Sequence, residues 1–147
     1  MRIIKFRAVS LCRGEGFVYG DFRHYNRNPR YEKWTIHDPD TGIETDIDET
    51  TIGQYTGLKD KNGKEIYEGD IVRWTRYNVR SEYVHNETLV NDCTVYWNDE
   101  KHAFWMRYDF KTGGGASGLL SFADERAEYI EFEVIGNIHE KPYQNEQ

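Results

Sequence analysis

The sequence predicts a mostly β fold, with a short β-rich lobe at the amino end, a small barrel after it and little helix. Three observations carry that expectation. Among the aliphatic residues 11 Ile and 8 Val stand against 5 Leu and 5 Ala, and β-branched side chains suit a pleated surface better than a helix. The chain also holds 4 Trp, 11 Tyr and 7 Phe, each able to bury about 150–250 Å². That payload offsets a mean hydropathy of -0.87 and 31% charged residues, a balance that would otherwise favour disorder. Finally, short alternating apolar runs are punctuated by turn residues at close spacing, the rhythm of a small barrel. A length of 147 residues suits one compact domain, with room for two lobes.

The elements follow in order. Ile4-Lys5-Phe6-Arg7-Ala8 alternates with period two and reads as a half-buried strand. Phe17 to Tyr19 and Lys33 to Ile36 are further short strands, separated by the turn-rich Asn26 to Arg30, and Asp38-Pro39-Asp40-Thr41-Gly42 turns the chain before Ile43. Asn62-Gly63 is a tight-turn signal, because both residues tolerate positive φ. Gly69-Asp70 is a second turn leading into Ile71-Val72, a step that recurs at the start of the first strand of SH3-like barrels. Cys93 to Trp97 and Ala103 to Tyr108 form an aromatic hairpin across the polar turn 98–102. Lys111 to Gly118, with four glycines, is expected to be a mobile connection before Leu119 to Phe122, and Asp124 to Ala127 a single helical turn. Ile130 to Ile135 closes the set with Ile130, Phe132 and Val134 facing inward, and the tail after Pro142 is expected to fray. The expected organisation is thus an amino-terminal lobe over 1–52, an SH3-like barrel portion over 53–141 and a tail over 142–147.

Charge and cysteines narrow the setting. No apolar run reaches the roughly 20 residues needed to cross a bilayer. Basic residues interrupt the apolar positions at the start, so no secretory leader is expected. Cys12 and Cys93 lack metal-ligand spacing and are expected as reduced thiols in the cytoplasm of a bacterial host. The net charge of -7 is uneven: residues 1–30 hold seven basic and two acidic residues, and residues 31–60 two and eight. Opposite charges of this kind face each other within a fold or between subunits, or present a basic face for binding.

Three blocks carry a family resemblance. They are Ile4 to Ala8; Gln54 to Asp60 with Asn62-Gly63-Lys64-Glu65-Ile66-Tyr67-Glu68-Gly69-Asp70-Ile71-Val72; and Glu133 to Glu140, in that order along nearly the whole chain. The chain resembles the YopX family, small proteins encoded mainly by bacteriophages and prophages. The resemblance implies a mostly β fold with an SH3-like carboxyl-terminal barrel; it brings no enzymatic activity or ligand with it. The glycines, Asp70, Tyr55 and Tyr67 of these blocks all have structural explanations in turns, caps and packing.

Candidate chemistry is sparse. Asp38, Asp40 and Glu49 fall at positions 1, 3 and 12 of a calcium loop, but Ile43 stands at the sixth position, where the sharp turn needs glycine. No histidine or cysteine pair has zinc spacing. Ser117 lacks the nucleophile-elbow pattern, and Gly113-Gly114-Gly115 is followed by Ala116 rather than the Lys of a phosphate loop. No catalytic residue, metal or cofactor is therefore assigned, and no enzyme is expected. The best binding candidate is the basic aromatic stretch with Arg73, Trp74, Arg76, Tyr77 and Arg80, since arginine neutralises phosphates and Trp and Tyr stack on unpaired bases. The competing assignment puts Trp74 in the core with the arginines in solvent. Taken together, the expectation is a phage or prophage accessory protein acting as a protein-interaction or self-assembling module, with single-stranded nucleic-acid binding as the alternative.

Overall fold

The structure, a computed structural model, describes residues 3–28, 30–79, 87–108, 115–118 and 130–140, with backbone alone at 76–79, 87–89 and 117–118. It is nearly all β, and among the described residues a single 3-10 turn, Glu49–Thr51, is the helical exception. Eleven strands follow in order: β1 Phe6–Val9, β2 Phe17–Asn28, β3 Tyr31–His37, β4 Glu44–Asp46, β5 Gly53–Lys59, β6 Glu65–Tyr67, β7 Asp70–Val79, β8 Glu87–Asn98, β9 Ala103–Tyr108, β10 Gly115–Gly118 and β11 Ile130–Asn137. They form a six-stranded sheet ordered β4-β3-β2-β1-β5-β6 and a five-stranded sheet ordered β10-β9-β8-β7-β11. The chain divides into two compact units, Met1–Gly57 and Leu58–Gln147, with the break inside β5.

In the first unit the alternation seen in the sequence decides which side chains meet. Phe6 pairs with Gly20, Ala8 with Val18, Phe22 with Ile36 and His24 with Trp34. One face therefore carries buried Ala8, Ile36 and Ile47, with Phe6, Val18, Phe22, Trp34 and Ile52 packed against them. An aromatic ladder extends this core: Phe6 lies 5.8 Å from Phe22, Phe22 5.5 Å from Trp34, and the His24 ring stacks on Trp34 at 3.7 Å. β2 is far longer than the short strand expected at Phe17 to Tyr19, and it runs into the segment expected as a turn. The turn composition there is overridden by pairing of β2 with β3, which passes through a register shift after Asn26 and reaches Asn28 and Tyr31. Gly20 sits at φ +150, and a Cβ added there would lie 2.1 Å from the His37 carbonyl oxygen, so only glycine lets β2 and β3 approach this closely.

The second unit is organised around the acids and glycines of the central block. Asp60, 7% exposed, accepts from the amides of Asn62 (2.8 Å) and Lys64 (2.9 Å) on Oδ1 and from the amide of Val134 (3.0 Å) on Oδ2. Gly63, at φ +80, closes the turn by donating its amide to the Asp60 carbonyl. Asp70 accepts from the Tyr67 amide at 2.8 Å, and Gly69, at φ +86, donates to the Val95 carbonyl and accepts from the Ile138 amide. Inward residues of β7, β8 and β9 then pack as one cluster of Val72, Trp74, Cys93, Val95, Phe104 and Met106 with Ile66. Phe132 and Val134 of β11 pack against it, as their spacing predicts.

Two expectations need correction. The five-stranded sheet does not close into a barrel among the described residues: its edges are β10 and β11. Along β11 the Asp60–Lys61 turn supplies hydrogen bonds, the Lys61 amide donating to the Phe132 carbonyl, where closure would need a strand. In addition, Gly115–Gly118 is not a loose connection; it forms β10, paired with Tyr108 to Trp105 of β9. Glycine weakens a strand but leaves its backbone donors and acceptors free to pair. Leu119 to Phe122, Asp124 to Ala127 and the tail after Pro142 lie outside the described residues.

Two stability outcomes are expected. Burial alone would raise the Asp60 pKa, but the three amides and the Lys64 charge outweigh it and hold the carboxyl below its ordinary value. Asp60→Asn should then lower the unfolding free energy by about 1–3 kcal/mol at neutral pH. Because the folded pKa is depressed, the wild-type advantage is full above the unfolded value of about 4 and shrinks as pH falls through the folded one. Urea denaturation of both proteins from about pH 7 to pH 3 measures this, and a gap that does not narrow in acid contradicts it. Gly20→Ala should cost about 2 kcal/mol or more, because the His37 carbonyl must move; an unchanged melting temperature would show that β3 yields freely.

Candidate functional site

A strand exposes every second residue, so the basic aromatic stretch at 73–80 cannot present all its side chains on one face. Trp74 faces inward, 8% exposed, with its ring edge-on to Tyr108 at 6.4 Å. It lies in the core and offers no open face for stacking. Arg73 faces outward, but its Nε and a terminal nitrogen bind the two Asp92 oxygens at 2.7 and 2.9 Å. Its cross-strand neighbours are Asp92 on β8 and Glu133 on β11, so acids flank it on both sides. A phosphate at Arg73 would have to displace a bidentate carboxylate. Arg76 and Tyr77 belong to β7 by backbone, with their side chains outside the description, and Arg80 lies outside the described residues. Of the five candidates the structure thus describes two, Trp74 in the core and Arg73 paired with Asp92.

Residues the sequence reading passed over make a second outward group on the same sheet. Tyr96 of β8 pairs with Trp105 of β9, and the Arg107 guanidinium lies 4.6 Å from the Tyr96 ring centroid. The alternation of both strands was legible, but which of two faces a residue takes depends on the sheet that covers the other.

Nucleophiles fare no better. Burial pushes the Cys93 thiol up to about 12, with the nearby Trp74 indole pulling down and the Asp92 charge pushing up. At neutral pH it stays a thiol and an unreactive one. Cys12 is exposed. Among the described residues no cluster of three or more His, Cys, Asp or Glu side chains could hold a metal ion, and no helix is long and apolar enough to cross a membrane. In the acidic turn the Asp38 carboxylate is taken up locally by the Asp40 amide and the Thr41 hydroxyl, each at 2.9 Å.

One concavity has the size of a binding site. A cleft of about 620 Å³ opens on the first unit, with Val18, Tyr19 and Gly20 of β2, Ile36 of β3 and the segments around Ile4 and Ile43 in its lining. Ile3, Ile4 and Ile43 are 64%, 62% and 62% exposed. Single exposed apolar residues are ordinary, but three aliphatics around one hollow form a patch. Glu15, Asp21, Asp38 and Asp40 also line it, with Lys5 as the one cation among the described residues. The sequence carried no signal for this cleft, because its walls come from segments joined only by sheet pairing.

Comparison with known proteins now adds identity. A model of the family described as YopX protein matches residues 5–144. The chain belongs to the YopX family. Among solved structures, it is similar to the crystal structure of protein EF1440 from Enterococcus faecalis, at 25% identity over 97% of each chain and a TM-score of 0.41. No curated protein matches. The central one of the three blocks that carry the YopX resemblance holds Asp60, Gly63, Gly69 and Asp70 in turns and caps.

A thiol titration checks the assignment of the two cysteines. Ellman's reagent on the native protein should modify one thiol, Cys12, with Cys93 reacting only after denaturant is added. Rapid modification of native Cys93 would show that the β7–β8 core opens readily.

Proposed function

We propose that this YopX-family chain is a phage or prophage accessory protein that works in the host cytoplasm by binding other protein, with no chemistry of its own. The observation that carries the reading is the contrast between two sets of residues. Asp60, Asp70, Gly63 and Gly69 of the central signature block are engaged in backbone hydrogen bonds and turns, and the buried thiol is held protonated. The unengaged features are instead those of a recognition surface: exposed aliphatics around the first unit's cleft and an acidic lining. Among the described residues β4 and β10 stand at sheet edges, where another chain can add a strand.

Light scattering on the purified protein, followed by capture from host lysate with chemical crosslinking, tests this reading. The expected result is a defined homo-oligomer or a stoichiometric protein partner. A monodisperse monomer that crosslinks to nothing would count decisively against it.

A further inference from the structure

The cleft on the first unit combines two properties that together specify a partner. Its apolar lining comes from Ile3, Ile4, Val18, Tyr19, Ile36 and Ile43. Among the described residues four carboxylates share the lining with one ammonium, that of Lys5, which already sits 5.9 Å from the Tyr19 ring centroid. The carboxylates are not equivalent. Glu15 accepts from the Ser10 hydroxyl at 2.7 Å, and Asp38 is capped by Asp40 and Thr41. The carboxylates of Asp21 and Asp40 meet no side-chain or backbone donor among the described residues, so they are free to receive one.

We propose that this cleft docks a short segment of a protein partner in which aliphatic and basic side chains alternate, a proposal that rests on the interaction-module reading above. Aliphatic side chains of the segment would cover the exposed isoleucines, and its lysines or arginines would meet Asp21 and Asp40. Charge selects this occupant over its rivals. An anionic partner, nucleic acid included, is repelled by the lining. A second copy that met this cleft with its own cleft would set carboxylates against carboxylates. A small ligand needs most of its surface buried to bind well, and this cleft is only half-enclosed. A protein segment is held by its flanks as well and does not require enclosure.

The probe is a fluorescein-labelled decapeptide of alternating Lys and Leu, with Glu/Leu and Lys/Ser decapeptides as controls, read by anisotropy and by amide chemical shifts. The Lys/Leu peptide should bind with a dissociation constant of about 10⁻⁵ M and weaken several-fold between about 50 and 300 mM salt. Both controls should bind at least about tenfold more weakly. Ile43→Ser and the double variant Asp21→Asn/Asp40→Asn change exposed positions, so their melting temperatures should match wild type, while each lowers affinity about fivefold or more. Shifts should centre on Lys5, Gly20 and Ile43. A flat titration, equal affinity for the Glu/Leu peptide, unchanged affinity in both variants or shifts centred elsewhere would each overturn the proposal. Self-association abolished by Ile43→Ser would overturn it too, by naming a second copy as the occupant. If crosslinked partners survive Ile43→Ser undiminished, the cleft assignment falls and the interaction-module reading stands.

Discussion

The second unit depends on one carboxylate. Asp60 fastens a tight turn to itself through the Asn62 and Lys64 amides and fastens that turn to β11 through the Val134 amide, 74 residues away in sequence. Each of those bonds is part-buried, and a buried amide left unpaired costs about 1–3 kcal/mol. Aspartate is suited to the task because an ionised carboxylate has two oxygens and only accepts. Glutamate would place the same oxygens one methylene further out. The long-range bond also explains why β11 ends its sheet: the turn saturates part of the edge that a further strand would have used.

Asp70 repeats the device at smaller scale. Its side chain caps the Tyr67 amide, which lets β6 turn through Gly69 into β7, and Gly69 in turn bonds to Val95 and Ile138. Tyr67, 2% exposed, is stationed by this turn and donates its phenol to Glu65 at 2.7 Å. Charged and aromatic residues that look like chemistry in a one-dimensional reading are here the fasteners of an all-β unit. The same logic governs β7: strand alternation sends Trp74 inward and Arg73 outward, and antiparallel pairing then sets Asp92 beside Arg73. A stretch that reads as basic and aromatic is divided by its own pleat into a core residue and a neutralised one.

What could be read from the sequence was local. Asn62-Gly63, Gly69-Asp70 and the 93–108 hairpin were legible because turn residues and period-two alternation act over a few positions. Inward placement of Phe132 and Val134 followed from the same alternation. What escaped was non-local. The length of β2 is set by its register with β3, the strand character of Gly115–Gly118 by its neighbour β9, and the open edge at β11 by a turn from far upstream. The cleft escaped for the same reason: Ile3, Gly20 and Ile43 share no pattern in the sequence and meet only once β1 to β4 have paired. The binding stretch at 73–80 was legible as composition, but composition is silent on which face of a strand a side chain takes.

The first unit manages its surface differently from the second. Its core is small, with three fully buried aliphatics extended by a ladder of rings that remain half-buried. A sheet with so little behind it would gain from burying every aliphatic it has, at about 25 cal/mol for each Å² removed from water. Yet Ile3, Ile4 and Ile43 stay more than half in solvent, beside the exposed carboxylates of Asp21 and Asp40. Like charges around the hollow oppose association of identical copies through this face, so the exposed isoleucines do not simply drive aggregation. Acidic residues that guard an apolar patch against its own kind leave it selective for a basic one. The division of labour is then physical: Asp60 and Asp70 of the second unit hold its own backbone, while Asp21, Asp40 and the exposed isoleucines of the first unit's cleft face outward.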